Sequence, residues 1–219
     1  MKNFLRNAAL TAMFFCLTSV VVAQEYTLTD DDVTVVDGYI TECTYNYDLK
    51  EIVIPNMLDG QTVIGIATLD PTMEGSDTLG VFSHKDITSV KLPTTLQYIG
   101  ANAFREDSLK SLDLTGLSAL EFIGSAAFNR CLLSGTLDFS DCTSLRLIRN
   151  SVFSYNDIKG VYLTGCNALE SIDFRAFFEN RSLDTLSLNG CTSLTTIGER
   201  AFMFAAFENL DLSAVSYKY

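Results

Sequence analysis

Five times this chain writes one block, a Leu followed three places on by Ile and then by a small or β-branched residue and Phe. The blocks are Leu96/Ile99/Ala103/Phe104, Leu120/Ile123/Ala127/Phe128, Leu145/Ile148/Val152/Phe153, Leu169/Ile172/Ala176/Phe177 and Leu194/Ile197/Ala201/Phe202, with Phe-to-Phe intervals of 24, 25, 24 and 25 residues. Ahead of the blocks stand the alternating pairs Val90/Leu92, Leu112/Leu114, Leu137/Phe139, Val161/Leu163 and Leu186/Leu188, and a sixth pair follows at Leu210/Leu212. Alternation turns two side chains to one face and the one between them to the other, so each pair predicts a short strand. One such strand in every period of roughly 20 to 29 residues predicts a leucine-rich repeat solenoid.

A single coil of this kind leaves its Leu, Ile and Phe uncovered on two sides, and stability comes from stacking coil on coil. Phe104, Phe128, Phe153, Phe177 and Phe202 are therefore expected to form a structural spine. The expected fold is a right-handed leucine-rich repeat coil with a short-strand parallel sheet on the concave face. Short helical turns at the Ala-Phe segments make the convex face, and a small β N-terminal cap closes one end.

The solenoid occupies residues 51–219. A degenerate first repeat, 51–86, carries Ile52, Ile54 and Pro55, an Asp59-Gly60 turn, Val63 and Ile64, then a polar insertion from Thr68 to Leu79 and Phe82 in the Phe place. Regular repeats run over 87–205 and a partial one over 206–219. Residues 24–50 lack the period; they alternate around Val33, Val35, Tyr39 and Ile40 with an Asp37-Gly38 hairpin signal, the expected β cap. At the other end either Tyr217 and Tyr219 cover the last coil or the array continues beyond them.

Residues 1–23 place Lys2 and Arg6 before an apolar run from Ala8 to Val22 that ends at Ala23, the pattern of a cleavable signal peptide. Cys16 follows Met13, Phe14 and Phe15, not the small residues a lipoprotein signal needs. Without Lys2 and Arg6, 13 basic side chains face 27 acidic ones, a formal charge of −14 against −12 for the whole chain. Such a surface repels phosphate backbones and anionic headgroups, so neither nucleic acid nor membrane insertion after signal cleavage is expected.

The Ile-Gly-x-x-Ala-Phe blocks at 99–104, 123–128 and 197–202, the strand-Pro endings Ile54-Pro55 and Leu92-Pro93, and Asp-Gly-Gln-Thr-Val at 59–63 together resemble BspA-like leucine-rich repeats. The likeness covers residues 51–219. It implies a bacterial protein of the cell surface or the medium, with the periplasm as the other destination of an exported chain; some members of the family are adhesins. The later repeats depart from the pattern by writing Leu-x-Leu-x-x-Cys where the earlier ones have strand-Pro.

Cys142, Cys166 and Cys191 share one column three residues beyond the strand, expected to be structural small residues packed under a turn. Strand spacing alone admits one disulfide in that column, and Cys43 and Cys131 belong to no evident framework. No close Cys pair suggests zinc, and Asp30-Asp31-Asp32 lacks the ligand alternation of a calcium loop, so no metal and no cofactor are expected. His84 is the sole histidine, so a histidine-based triad would have to converge on it, and no catalytic residue is assigned.

The candidate binding residues are the outward members of the strands on the concave face: Lys91, Asp113, Asp138, Tyr162, Ser187 and Asp211. Ser111, Thr136, Thr185 and Asn209 flank them on one side, and Thr115, Ser140, Thr164 and Asn189 on the other. The expected function is a non-enzymatic extracellular binding module engaging a protein or glycan. The alternative is a structural spacer within a larger surface protein.

Overall fold

A computed structural model describes residues 24–67 and 80–208. The expected signal segment, the expected insertion at 68–79, and Asn209, Leu210, Asp211, Leu212, Tyr217 and Tyr219 lie outside the described residues. The remainder is a leucine-rich repeat solenoid of six coils, each marked by one phenylalanine of the row Phe82, Phe104, Phe128, Phe153, Phe177 and Phe202. Successive rings stack with centroids 5.2, 5.3, 5.5, 5.2 and 5.3 Å apart. All but Phe202, which is half-buried, are fully buried.

Each coil has three walls, and except at one break in the strand wall each is tied to the next coil by its own hydrogen bonds. The strand wall holds two parallel three-stranded sheets, Glu25–Thr27, Glu51–Val53 and Ser89–Lys91, then Ser134–Asp138, Asp157–Tyr162 and Thr185–Ser187. The second wall is a ladder of two-residue parallel strands at Gly65–Ile66, Tyr98–Ile99, Phe122–Ile123, Leu147–Ile148, Ser171–Ile172 and Thr196–Ile197. Its inward residues Ile66, Ile99, Ile123, Ile148 and Ile172 are fully buried. That wall was not anticipated from the repeat, whose Leu-x-x-Ile spacing marks it only with single apolar residues.

Two expectations are corrected. The Leu112-Asp113-Leu114 segment keeps the inward-outward alternation of a strand, with both leucines buried, but it pairs with neither neighbour and splits the strand wall in two. At this joint the Thr94 N–H, whose counterpart Gly165 N–H donates to Asn189 O of the following coil, is taken by Asn56 Oδ1 at 2.9 Å.

The Ala-Phe segments, moreover, are not helical turns; the described coils contain no helix, and the cap contains only the 3-10 turn Asp30–Asp32. In the five coils from Phe104 onward the residues two before and two after the spine Phe have left-handed backbone, as Asn102 (φ 55°) and Glu106 (φ 59°) do around Phe104. The alternation sends every second N–H to the next coil, Asn102 to Ser125 O, Phe104 to Ala127 O and Glu106 to Asn129 O at 2.8–2.9 Å. The intervening N–H groups close turns inside the coil, as Arg105 does on Asn102 O. A helix would spend all these donors within one segment and leave the coils unjoined on this side.

At the N-terminal end Val33–Val36 pairs antiparallel with Tyr39–Cys43, and both residues of the Asp37-Gly38 turn are left-handed. The hairpin's second strand runs parallel to Gly65–Ile66, while Glu25–Thr27 pairs with Glu51–Val53. Residues 24–50 thus extend both walls and cover the first coil with Leu28, Val35 and Ile40.

Candidate functional site

On the strand wall Asp138, Tyr162 and Ser187 are direct neighbours in one ladder. Lys91 stands on the other sheet beside Val53, Asp113 lies in the gap between the two sheets, and Asp211 is outside the described residues. Lys91, Asp113, Asp138 and Tyr162 are exposed, Tyr162 to 36%, whereas Ser187 is half-buried. Of the flanking residues, Ser111, Thr115, Thr136, Ser140, Thr164, Thr185 and Asn189 are exposed.

Most of these polar groups already have partners within the wall. Lys91 Nζ lies 2.6 Å from Glu25 Oε1. Asp138 Oδ1 accepts from Ser140 Oγ at 2.6 Å and Ser140 N at 2.9 Å, and Asp113 Oδ1 accepts from Thr115 N at 3.0 Å. The Ser140 hydroxyl and N–H hold the Asp138 carboxyl below the usual range, and the Thr115 side chain and N–H do the same for Asp113. Both are ionised at neutral pH, and they tie down the turns that end their strands. Thr115, Asp138, Ser140 and Asp141 line a shallow polar recess of about 80 Å³. A larger groove of about 230 Å³ opens on the second wall between Tyr98, Glu121, Phe122, Arg146, Leu147 and Arg149. The Arg146–Glu170 pair (2.8 Å) and the Arg149–Asp173 pair (3.1 Å) lie beside it.

Cys142, Cys166 and Cys191 form a buried column of free thiols. The Cys166 and Cys191 sulfurs donate to Phe139 O and Leu163 O of the preceding coil at 3.3 and 3.2 Å, and Cys142 Sγ lies 3.9 Å from Leu114 O. Burial pushes the three thiols up to about 12, 12 and 11. A thiol so far from ionising is inert as nucleophile and as ligand.

A second buried polar column, three residues beyond Phe104, Phe128, Phe153 and Phe177, consists of Asp107, Cys131, Asn156 and Asn180. Asn156 Oδ1 accepts from the N–H groups of Cys131 and Leu133 at 3.0 and 2.9 Å, and its Nδ2 donates to Phe128 O and Phe153 O at 3.0 Å. Asn180 repeats the pattern one coil on, accepting from Ile158 N and donating to Phe153 O and Phe177 O. Cys131 meets half of it, its thiol donating to Phe104 O at 2.9 Å.

Asp107 places Oδ1 as the asparagines do, accepting from Lys85 N at 2.9 Å and Ile87 N at 3.2 Å. Its buried Oδ2 has no partner. Burial pushes this carboxyl up to about 7, against the pull of the two N–H donors. The sequence shows this column only as a constant offset from Phe, because three residue types fill its four places.

His84 is exposed, its Nδ1 3.5 Å from Glu106 Oε2. No group of three or more His, Cys, Asp or Glu side chains placed to hold a metal ion occurs among the described residues. In the cap, Asp32 Oδ2 accepts from Thr29 N, Thr29 Oγ1 and Tyr26 OH at 2.7–3.0 Å, so this acid closes a turn. No helix among the described residues is long and apolar enough to cross a membrane.

A search of curated proteins finds no match to the chain. Residues 79–210 match the family model of the BspA type leucine rich repeat region in six copies. With over half of the chain matched, and six stacked coils of that period in the fold, the protein belongs to the BspA-type leucine-rich repeat family.

Proposed function

We propose that this protein is an exported, non-enzymatic binding module that presents its strand wall to an extracellular protein or glycan. The observation that carries the reading is the ladder Asp138, Tyr162 and Ser187 with its exposed Thr and Ser flanks, an extended polar face built from consecutive coils around one exposed aromatic ring. Repeat solenoids use such faces for binding, and an exposed tyrosine supplies contact area at small entropic cost. A signal-peptide-like N-terminus and the family's habit of export support placement at the cell surface or in the medium.

The second reading, a spacer without a ligand, draws support from the internal pairing of Lys91, Asp113 and Asp138. The two separate on Tyr162→Ala, compared with the parent chain on arrays of matrix proteins and glycans. The binding reading expects a hit whose signal falls about tenfold with an unchanged melting temperature; a parent chain that binds nothing on either array favours the spacer.

A further inference from the structure

The strand wall is not where the exposed apolar surface lies. Of eight large apolar side chains exposed among the described residues, five (Leu132, Tyr155, Phe174, Met203 and Phe204) sit on or beside the turn wall of the last four coils. Two of them, Tyr155 and Phe204, are joined into a strip through Phe178. The Tyr155 ring meets Phe178 edge-on at 5.5 Å, and Phe178 meets Phe204 edge-on at 5.4 Å, crossing three consecutive coils.

Three guanidinium groups lie on this strip. Arg130 stands 4.1 Å above the Tyr155 ring, Arg175 lies 4.8 and 4.9 Å from Phe174 and Phe178, and Arg181 lies 5.0 Å from Phe204. Arg181 is also paired with Glu179 at 2.8 Å, whereas Arg130 and Arg175 enter no ion pair among the described residues. A guanidinium stacked on a ring keeps its plane fixed and turns its N–H edges outward. In a chain of net charge −12, this is cationic and apolar surface together. Tyr, Phe, Met and Arg are the residues enriched at protein interfaces, and contiguous exposed apolar surface marks an interaction site.

We infer that the turn wall from Arg130 to Phe204 docks an acidic protein segment that also carries aromatic or aliphatic side chains. Charge complementarity selects the acidic character: Arg130, exposed and in no ion pair, presents a fork that matches a carboxylate bidentately, and Arg175, whose Nε is buried, adds its positive charge. The strip selects the apolar character, since a purely charged chain would leave Tyr155, Met203 and Phe204 wet. A glycan fits less well, because the ring faces a sugar would stack on are occupied by the arginines. A dense polyanion would also be repelled by the rest of the chain.

The test uses the full chain and three fluorescent probes: a random glutamate–tyrosine copolymer, poly-glutamate of the same length, and heparin. The copolymer is expected to bind at least about tenfold tighter than poly-glutamate, with affinity falling as salt rises. Arg130→Glu and, separately, Tyr155→Ser are each expected to weaken it about tenfold at unchanged melting temperature, and Tyr162→Ala is expected to leave it unchanged. Copolymer binding no better than poly-glutamate overturns the inference, as does full binding by both turn-wall variants. Heparin binding as tightly as the copolymer and losing affinity in the same variants replaces the protein partner with a sulfated glycan. Loss confined to Tyr162→Ala moves the contact to the strand wall, which overturns this inference while supporting the function proposed above.

Discussion

Replacing Asp107 by Asn isolates one proton. At this place Asn156 and Asn180 accept with Oδ1 and donate with Nδ2 to two carbonyls. Asp107 reproduces the acceptor half, and only its protonated form has a donor to offer from Oδ2. Its carboxyl is raised to about 7 by burial, with Asp86 adding to the rise. Tyr47 and Cys131, on both of which the Asp107 charge acts, are themselves pushed up by burial and are neutral at pH 7.

An unfolded aspartate titrates near about 3.9. Because the folded value is the higher one, the carboxyl's contribution to stability is full below about pH 4, declines from about 4 to about 7, and is gone above that. Three units at about 1.4 kcal/mol each give an upper bound of about 4 kcal/mol, and relaxation around the anion reduces it to about 2 to 4. Asp107→Asn, with a permanent donor and no charge, is expected to exceed the parent in stability by that amount at pH 8. The two should converge at pH 4. Urea titrations followed by circular dichroism at pH 4, 6 and 8 read the difference, in which the titrations common to both chains cancel. A stability gap that stays constant with pH refutes the assignment of the proton to this carboxyl.

Phe153→Ala removes a ring stacked at 5.5 and 5.2 Å between Phe128 and Phe177, and is expected to cost about 3 to 5 kcal/mol in the same titration. Asn180→Ala leaves the buried Ile158 N–H without its acceptor; a loss of about 1 to 3 kcal/mol is expected, with hydrogen exchange speeding up first at Ile158. Among the five described cysteines only Cys43 is partly exposed, so iodoacetamide at pH 8 should label it slowly and spare the other four until denaturant is added, as peptide mass spectrometry would show.

The coil period, the stack and the spine were legible because they depend on large apolar residues recurring at fixed spacing. The turn wall was not. Its left-handed positions are held by Asn102, Ala126, Ser151, Arg175 and Arg200, none of them glycine, so no residue type announces the backbone that distinguishes this wall from a helix. Leu112-Asp113-Leu114 shows the opposite case: its side-chain pattern is that of a strand, yet it forms no ladder with either neighbour, and side-chain alternation does not report backbone pairing. The outward column on the strand wall follows from alternation, and four of its five described members are exposed. The arginine and aromatic strip escaped the sequence because Arg130, Arg175 and Arg181 stand at different offsets in their coils and meet their rings only after folding.

The three ladders all run from coil to coil, which has a mechanical consequence. A molecule held by its two ends under tension has its inter-coil bonds pulled apart a few at a time, so it unzips from an end at low force instead of shearing as a block. Each coil freed releases 22 to 25 residues, roughly 80 Å of extended chain at about 3.4 Å per residue. The coils still stacked keep their own cores. Under load such a chain lengthens in steps, and it shortens again when the load is lifted.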